Sequence, residues 1–287
     1  MTSGSDWRGW VGDVWAEEHA RTERAFSGIA AALGNAIAAV VPDVGRAVDL
    51  GCGVGGTTLA LAAMRPHLRV TGIDLSAALI AVARRSAAVA GAPTVAGAQA
   101  PAFVIGDIVE LVPTLAPIDL LVSRHGLMFF ADPDVAFTAL RRAAAADAPL
   151  VFSCFAARGE NDWVTAPEAA LTLDPMLASG YAPGPFALGD EVFTRALLER
   201  SGWRDVRIVR HRVDYPVGSG DAPVESALAF YRRIGPLASL LAASQNRDRD
   251  RYEAVLRDLF AARIREGAVT FSATILVVTA RAGKEAA

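Results

Sequence analysis

A loop with four glycines constrains this sequence more than any other feature. Residues 48–56 read VDLGCGVGG, in which an apolar run ends beside an acid, Asp49, and four of the six positions from Gly51 to Gly56 are glycine. Glycine allows left-handed backbone conformations and lets a ligand approach the backbone closely. In doubly wound α/β folds such a loop follows the first strand and binds a ligand where the strands end. The stretch therefore predicts a ligand-binding loop between a buried strand and a helix.

The surrounding sequence alternates between short apolar runs and helical patterns. Buried strands are predicted at 46–50, 68–74, 102–107, 118–124 and 149–156, with helices between them. This alternation is typical of a parallel sheet that is covered by helices on both faces. The remaining sequence predicts a helix, a strand, a mainly helical block and a last strand at 191–203, 205–217, 221–266 and 268–282. The helical block is therefore interpreted as an insertion between the last two strands.

The charges near the loop distinguish two common ligands, a dinucleotide and S-adenosylmethionine. A pyrophosphate prefers helix amides with neutral or cationic neighbours. Here Asp49 precedes the first glycine, and residues 47–64 contain no lysine or arginine. Asp74 ends the second strand, where an acid can accept ribose hydroxyls, and Asp107 ends the third, where an acid can accept the adenine amino group. Three acids at successive strand ends favour an adenosine ligand with a positively charged end over NAD.

Four segments together carry a resemblance to a known family. VDLGCGVGG, VTGIDLS, IGDI and IDLLVSRHGLMFFADP resemble the successive motifs of class I S-adenosylmethionine-dependent methyltransferases, over about residues 45–155. The likeness is closer to the small-molecule branch that includes ubiquinone/menaquinone-biosynthesis and trans-aconitate methyltransferases. The resemblance implies a Rossmann-like, doubly wound, seven-stranded sheet with the last strand antiparallel, N-terminal helices and a helical cap insertion. It divides the chain into an N-terminal helical lid, an S-adenosylmethionine-binding domain and a cap, at 1–42, at 43–220 with 267–282, and at 221–266.

The resemblance also implies roles for residues at the strand ends. Asp49, Gly51 and Gly53 would surround the methionine part of the cofactor, with Cys52 packed in the same turn. Asp74 would bind the ribose hydroxyls and Asp107 the adenine amino group, while Leu75 and Ile108 would enclose the adenine ring. Ser123 and Arg124 would lie beneath the sulfonium at the end of the fourth strand. Apart from Arg124, these are the predicted cofactor-binding residues.

The acceptor side is less specific in sequence. His125 follows the fourth strand, where the resembled branch would have an aromatic residue, and its ordinary pKa suits a general base near neutral pH. A neutral histidine packed under the cap is the alternative. Trp15, His19, Trp163 and Tyr231 are the predicted substrate residues. With the neighbouring apolar residues they favour a small, largely apolar acceptor, bound for methyl transfer by in-line displacement, while the oxygen, nitrogen or carbon nature of the acceptor atom stays open.

Composition excludes or disfavours other partners. The formal net charge of −3 gives no basis for non-specific nucleic-acid binding, and no apolar run reaches the length of a membrane span. Four histidines lack metal-ligand spacing with the two cysteines, so no metal is predicted. So few cysteines favour a reducing, cytoplasmic location, and the protein is expected to be a monomer or a homodimer. Two alternatives are a cofactor-binding regulatory, non-catalytic protein and an NAD(P)-dependent oxidoreductase. Against the second, this sequence contains no Tyr-x-x-x-Lys pair, since Lys284 is the one lysine.

Overall fold

The computed structural model describes residues 4–91, 95–174 and 180–283. Its helices are α1 (Gly4–Arg8), α2 (Trp10–Glu17), α3 (His19–Ala25), α4 (Ser27–Ala38), α5 (Gly56–Met64), α6 (Ala77–Ala90), α7 (Ile108–Leu111), α8 (Pro133–Ala143), α9 (Asp162–Ala170), α10 (Glu191–Arg200), α11 (Pro223–Tyr231), α12 (Leu237–Ala243) and α13 (Asn246–Ala261). Its strands are β1 (Gly45–Leu50), β2 (Leu68–Asp74), β3 (Ala102–Ile105), β4 (Leu120–Arg124), β5 (Pro149–Phe155), β6 (Trp203–Gly218), β7 (Ile264–Arg265) and β8 (Ala268–Ala282). Short 3₁₀ helices cover Val112–Leu115, Leu127–Phe129 and Arg158–Glu160.

The strands form one mixed sheet in the order β3-β2-β1-β4-β5-β8-β6, and β7 pairs with β8 at one end. β1 to β5 are parallel, and β8 runs antiparallel to both β5 and β6. The predicted Rossmann-like sheet with an antiparallel closing strand is therefore confirmed, and the two-residue β7 adds an eighth strand to the seven expected. The order reverses between β1 and β4, so their carboxyl ends flank a crevice in which such folds bind ligands.

Local sequence explains where the elements begin and end. Ser76 caps α6, because its hydroxyl accepts a hydrogen bond from the Leu79 amide at 3.2 Å, and Gly91 ends the helix with a φ of +82°. Asp132 caps α8 in the same way, with Pro133 at the first helical position. All seven residues of β5, PLVFSCF, are buried, as expected for a strand covered on both faces. These signals fix the short connections that shape the crevice.

The N-terminal helices and the elements between β6 and β8 meet above the carboxyl ends of the parallel strands. Arg233, in the turn between α11 and α12, forms ion pairs with Glu17 and, at 3.2 Å, with Glu18. Gly12 of α2 packs so closely on Ser76 that a Cβ at this glycine would lie 2.4 Å from the Ser76 hydroxyl oxygen. The two groups of helices, predicted as a lid over 1–42 and a cap over 221–266, thus close one side of the crevice, with residues 1–3 outside the described structure. No helix in the described ranges is long and apolar enough to cross a membrane.

Candidate active site

A cavity of about 250 Å³ lies at the carboxyl ends of β1, β2 and β4. The glycine loop forms its floor, acids at the strand ends form one wall, and aromatic side chains from the N-terminal helices and later strands form the other. Most of the predicted cofactor-binding residues line it, namely Asp49, Gly51, Cys52, Gly53, Asp74, Leu75, Asp107 and Ile108. The predicted catalytic residue His125 and the predicted substrate residue Trp15 line it as well. The structure thus gathers into one cavity residues from five separate segments of sequence.

The glycine loop turns sharply because its glycines adopt left-handed conformations. Gly51 has a φ of +68°, and a Cβ at this residue would lie 3.0 Å from the Cα of Gly126. Gly53 also has a positive φ, +55°, but a Cβ there would meet nothing within 4 Å. The amides of Gly51 and Cys52 both donate to the Ile73 carbonyl at 2.9 Å. The loop is therefore fixed to β2 on one side and leaves the bare backbone of Gly53 open to the cavity.

Asp49 is a buried carboxylate with one unpartnered oxygen. The side chain is 1% exposed, and its Oδ2 accepts a hydrogen bond from the Thr58 hydroxyl at 2.7 Å. Its Oδ1 is buried and has no hydrogen-bond partner. Burial raises the pKa of Asp49 from its ordinary 3.8 to about 6, against the opposing effects of Thr58 and Arg124. A cationic group in the cavity would satisfy this oxygen and stabilise the ionised form.

Asp74 connects the glycine loop to the second strand. Its Oδ2 accepts from the Gly53 amide at 2.8 Å, and its Oδ1 accepts from the Ser76 amide at 2.9 Å. Burial raises the pKa of this carboxyl, while the hydrogen bonds from the backbone amides partly oppose the rise. Each carboxylate oxygen can accept a second hydrogen bond, so Asp74 holds the loop and still offers acceptors to the cavity.

Leu75, Ile108 and Asp107 form the end of the cavity beneath α1. Asp107 caps α7, since its Oδ1 accepts from the Val109 amide at 2.8 Å. Its Oδ2 lies 4.0 Å from the Arg8 guanidinium of α1. Gly4 of the same helix lies above Leu75, whose Cδ1 would be 3.7 Å from a Cβ at the glycine. The pocket predicted for a flat ring is thus bounded by two aliphatic side chains, an acid and a helix of the N-terminal group.

Cys52 lines the cavity but packs as a small residue. Its sulfur would lie 2.8 Å from a Cβ at Gly72, so the glycine in β2 makes room for it. Burial, and then the charges of Asp49 and Asp74, raise the pKa of its thiol well above the ordinary value. The thiol therefore stays protonated at neutral pH, which suits packing in the turn rather than reaction as a nucleophile.

His125 is buried between the end of β4 and the aromatic wall. Its φ is +62°, a left-handed conformation that is uncommon outside glycine. Nδ1 lies 2.9 Å from the Ser153 hydroxyl oxygen, whereas Nε2 is buried without a partner. Burial, assisted by the positive charge of Arg124, lowers the pKa of His125 from 6.5 to about 3. In this environment the ring is neutral near pH 7 and a weak base, and the catalytic role of His125 stays a prediction.

An aromatic chamber adjoins His125. Phe155 meets the His125 ring edge-on at a centroid distance of 4.4 Å, and Phe26 lies 5.4 Å from it. Tyr215 lies 5.9 Å from Phe26 and is stacked against Trp163 at 5.1 Å. Other apolar residues complete the chamber, namely Trp7, Trp15, Met128, Phe129, Phe130, Pro185 and Ile234. No hydrogen bond joins the Tyr215 hydroxyl to any residue that the structure describes, so this hydroxyl is a polar group available to a ligand.

Four of the predicted site residues do not line the cavity. The Ser123 hydroxyl is buried and donates to the Leu50 carbonyl at 2.6 Å, which ties β4 to β1. His19 is turned back on its own helix, with Nδ1 2.8 Å from the Ala16 carbonyl oxygen. Trp163 is buried by the orientation of α9 and donates to the Asn161 side chain at 3.2 Å, behind Tyr215. The Tyr231 hydroxyl donates to the Trp163 carbonyl at 2.5 Å, so both residues support the wall from outside.

Sequence reasoning missed several residues that line the cavity. Phe26, Phe155 and Tyr215 come from α3's end, β5 and β6, and no local motif marks them. Glu23 also lines the cavity and forms an ion pair with Arg124. Their only sequence signal is the burial pattern of their own elements. Within the described ranges, no group of three or more His, Cys, Asp and Glu side chains is arranged to hold a metal ion.

Comparisons with known proteins agree with this arrangement. Residues 47–147 match the methyltransferase domain family. Among solved structures, a provisionally assigned methyltransferase of Bacillus halodurans has a TM-score of 0.55 and 16% identity, and the match covers 89% of this chain and 99% of that one. The YcgJ protein of Bacillus subtilis has a TM-score of 0.53 and 14% identity, with 88% and 98% covered.

A third structure was solved with ligands. Haemonchus contortus phosphoethanolamine N-methyltransferase 2, in complex with phosphomonomethylethanolamine and S-adenosylhomocysteine, has a TM-score of 0.55 and 16% identity, and the match covers 96% of this chain and 61% of that one. No curated protein matches the sequence. At these identities the structural similarity shows the fold alone, and the match to the methyltransferase domain family covers residues 47–147.

Proposed function

We propose that this protein transfers the methyl group of S-adenosylmethionine to a small, largely apolar acceptor. The premise is that residues 47–147 match the methyltransferase domain family and lie in a class I methyltransferase fold. The family supports the reaction class and the cofactor. The nature of the acceptor is a proposal that rests on the chemistry of the cavity walls.

The residues of the cavity fit the cofactor. The observation that carries the proposal is the buried, unpartnered Oδ1 of Asp49, which suits the cationic amino group of the methionine part. The open face of Gly53 leaves room for a ligand against bare backbone. Asp74 retains acceptor capacity for ribose hydroxyls, and Leu75 with Ile108 offers apolar surfaces to an adenine ring, whose amino group can donate to Asp107.

The protein contributes mainly orientation and exclusion of water. When bound, S-adenosylmethionine supplies an electrophilic methyl group on a good leaving group. The aromatic chamber then positions the acceptor, and the N-terminal helices keep water away from the reacting atoms. The left-handed conformation of His125 places its ring between Phe26 and Phe155, at the junction of the two halves of the cavity.

The acceptor that fits this chamber is neutral. His125 is uncharged at neutral pH, and burial keeps the pKa of Tyr215 well above its usual range, so that its phenol is uncharged too. A charged acceptor buried among Trp15, Phe26 and Phe155 would lose its hydration. Arg124, whose guanidinium lies 6.0 Å from the Phe26 ring, is already paired with Glu23. An acceptor with an apolar ring or chain and a single hydroxyl or similar group is favoured, because it would pair with the Tyr215 hydroxyl or with His125 Nε2.

His125 is proposed as a positioning group rather than a proton acceptor. Either tautomer leaves Nε2 able to make one hydrogen bond, as a donor or an acceptor. A ring with a pKa of about 3 would hold a proton too weakly to accept it from a neutral hydroxyl near pH 7.

Three expectations from the sequence stay predictions. They are the location in the cytoplasm, the absence of nucleic-acid partners and the state as monomer or homodimer.

Methyl transfer can be tested directly. The purified protein would be incubated with methyl-labelled S-adenosylmethionine and size-matched acceptors, some neutral with one hydroxyl and some carrying an amine or a carboxylate, and products would be read by mass spectrometry. We expect labelled product from neutral, apolar acceptors. Asp49→Asn should lose the activity, whereas Asp43→Asn, which changes an acid that is 90% exposed outside the cavity, should retain it. Product from charged acceptors alone would refute the acceptor class, and cofactor binding without turnover on any acceptor would favour a regulatory role.

A further inference from the structure

The charged residues of the cavity are unevenly distributed. Four carboxylates line it among the described residues, those of Glu23, Asp49, Asp74 and Asp107. Arg124 is the one arginine or lysine that lines it in the same set. An α-amino acid group carries both a cationic amine and an anionic carboxylate at neutral pH. The carboxylate therefore needs a cationic partner, and among the described residues that line the cavity Arg124 can be that partner.

The Arg124 side chain lies at the N-terminal end of α5, the helix that follows the glycine loop. Its side chain is 11% exposed, and Nη2 donates to Glu23 of α3, the one hydrogen-bond partner of this guanidinium among the described residues. The guanidinium also lies 6.0 Å from the centre of the Phe26 ring. Nη2 would be 3.2 Å from a Cβ at Gly56, the first residue of α5. An arginine has five N–H donors in a fixed planar arrangement, so most of them remain available to a ligand.

Asp49 and Arg124 bring opposite charges to the same end of the cavity. Asp49 precedes the glycine loop, and Arg124 ends β4, which pairs with β1 at the Asp49–Val122 position. The positive charge of Arg124 is among the effects that lower the pKa of Asp49 against burial, which agrees with their proximity. Asp49 has its unpartnered oxygen for a cation, and Arg124 has free donors for an anion. The two side chains are complementary to the two charges of an amino-acid group.

We infer that Arg124 binds the carboxylate of the cofactor's amino-acid end, and that Glu23 of the N-terminal helices holds the guanidinium in place for it. The inference rests on the proposed function, since it assumes a cofactor of this class. It places Arg124 at the loop side of β4 rather than beneath the sulfonium, where a positive charge would be repelled. It also connects the N-terminal helices to cofactor binding through the Glu23–Arg124 pair.

Calorimetric titration with two ligands tests the inference without any turnover. S-adenosylhomocysteine has the complete amino-acid group, and decarboxylated S-adenosylhomocysteine lacks only the carboxylate. A charge-assisted hydrogen-bonded pair contributes enough that Arg124→Gln should weaken binding of the first ligand about 10- to 100-fold. Binding of the decarboxylated ligand should change less than about twofold, because its loss of the carboxylate has already removed the contact.

A matched control and a second variant keep the outcome clear. Arg21→Gln breaks another arginine–glutamate pair of α3, at 2.5 Å from Glu18, outside the cavity, and should bind both ligands like the wild type. If Arg124→Gln does not fold, Arg124→Lys should show the same selective loss at a smaller size. The inference would be refuted if Arg124→Gln weakened binding of both ligands equally, or did not weaken binding of S-adenosylhomocysteine. Arg124 would then only hold the N-terminal helices against the sheet through its pair with Glu23. Failure of the wild type to bind S-adenosylhomocysteine would instead refute the proposed function.

Discussion

Asp49→Asn should make the ligand-free protein more stable while abolishing its function. Asp49 is buried with one unpartnered oxygen, and burial raises its pKa from 3.8 to about 6. A rise of this size corresponds to a penalty of about 3 kcal/mol in the free energy of unfolding at neutral pH. Asparagine removes the buried charge and keeps an oxygen for the Thr58 hydroxyl, but it leaves a buried amide in the cavity. We therefore expect a net gain of about 1–3 kcal/mol at pH 7.5.

The sign of the pH dependence follows from the direction of the shift. Because the folded-state pKa of Asp49 is raised, the penalty is absent below the unfolded pKa near 3.8, grows between that value and about 6, and is complete above it. The advantage of Asp49→Asn over the wild type should therefore shrink to about 1 kcal/mol or less at pH 4.5. Urea unfolding of both proteins at the two pH values, followed by circular dichroism, measures the difference. A variant less stable than the wild type at pH 7.5, or a gain independent of pH, would refute the reasoning.

Three further predictions concern ligand binding and turnover. Affinity of the wild type for S-adenosylhomocysteine should fall about tenfold from pH 7 to pH 5, since Asp49 loses its charge below about pH 6, and Asp49→Asn should abolish this dependence in calorimetry. Gly53→Ala should lower the free energy of unfolding by about 1 kcal/mol, because Gly53 has a positive φ. The added methyl group would occupy the open face of the loop, so the affinity for S-adenosylhomocysteine should fall at least about tenfold, and an unchanged affinity would contradict the open loop. His125→Asn should lower turnover about tenfold and change the cofactor affinity by less than about twofold, since asparagine tolerates the left-handed conformation. The turnover of the wild type should show no imidazole titration between pH 6 and 8.

The proposed cofactor half of the cavity could be predicted from sequence because most of its residues lie at or just after strand ends. A residue at the carboxyl end of a strand has a defined place in a parallel sheet, and Asp49 and Asp74 have such a place. Asp107 follows two residues after β3, as the N-cap of α7. The Rossmann-like sheet with an antiparallel closing strand was confirmed, and the match of residues 47–147 to the methyltransferase domain family agrees with the resemblance. Contributions of individual residues to binding stay predictions until ligand titrations are made.

The proposed acceptor half depends on tertiary packing that no local pattern encodes. Trp163 was predicted to contact the substrate, but it lies in α9 (Asp162–Ala170), and its indole is buried behind Tyr215. Tyr215 itself lies on the 16-residue β6, where register irregularities change which side chains face inward. Phe26 reaches the cavity only because the N-terminal helices fold back over the sheet. Helix rotation and strand register are set by contacts between distant segments, so the sequence alone did not identify Phe26 and Tyr215 as cavity residues.

The pairing of Glu23 with Arg124 shows the same limit. The motif containing Arg124 indicated the end of a strand near the cofactor, but it gave no partner for the guanidinium. Glu23 lies 101 residues before Arg124 in the sequence, on α3. An ion pair between distant segments becomes visible only when both elements have been positioned.

The most direct test of the account is calorimetric titration of the purified protein with S-adenosylhomocysteine and, in parallel, with NADH. The arrangement of Asp49, the open glycine loop and the strand-end acids predicts micromolar binding of S-adenosylhomocysteine and no binding of NADH. Binding of NADH, or failure to bind S-adenosylhomocysteine between pH 7 and 8, would contradict the central claim that this cavity is an S-adenosylmethionine site.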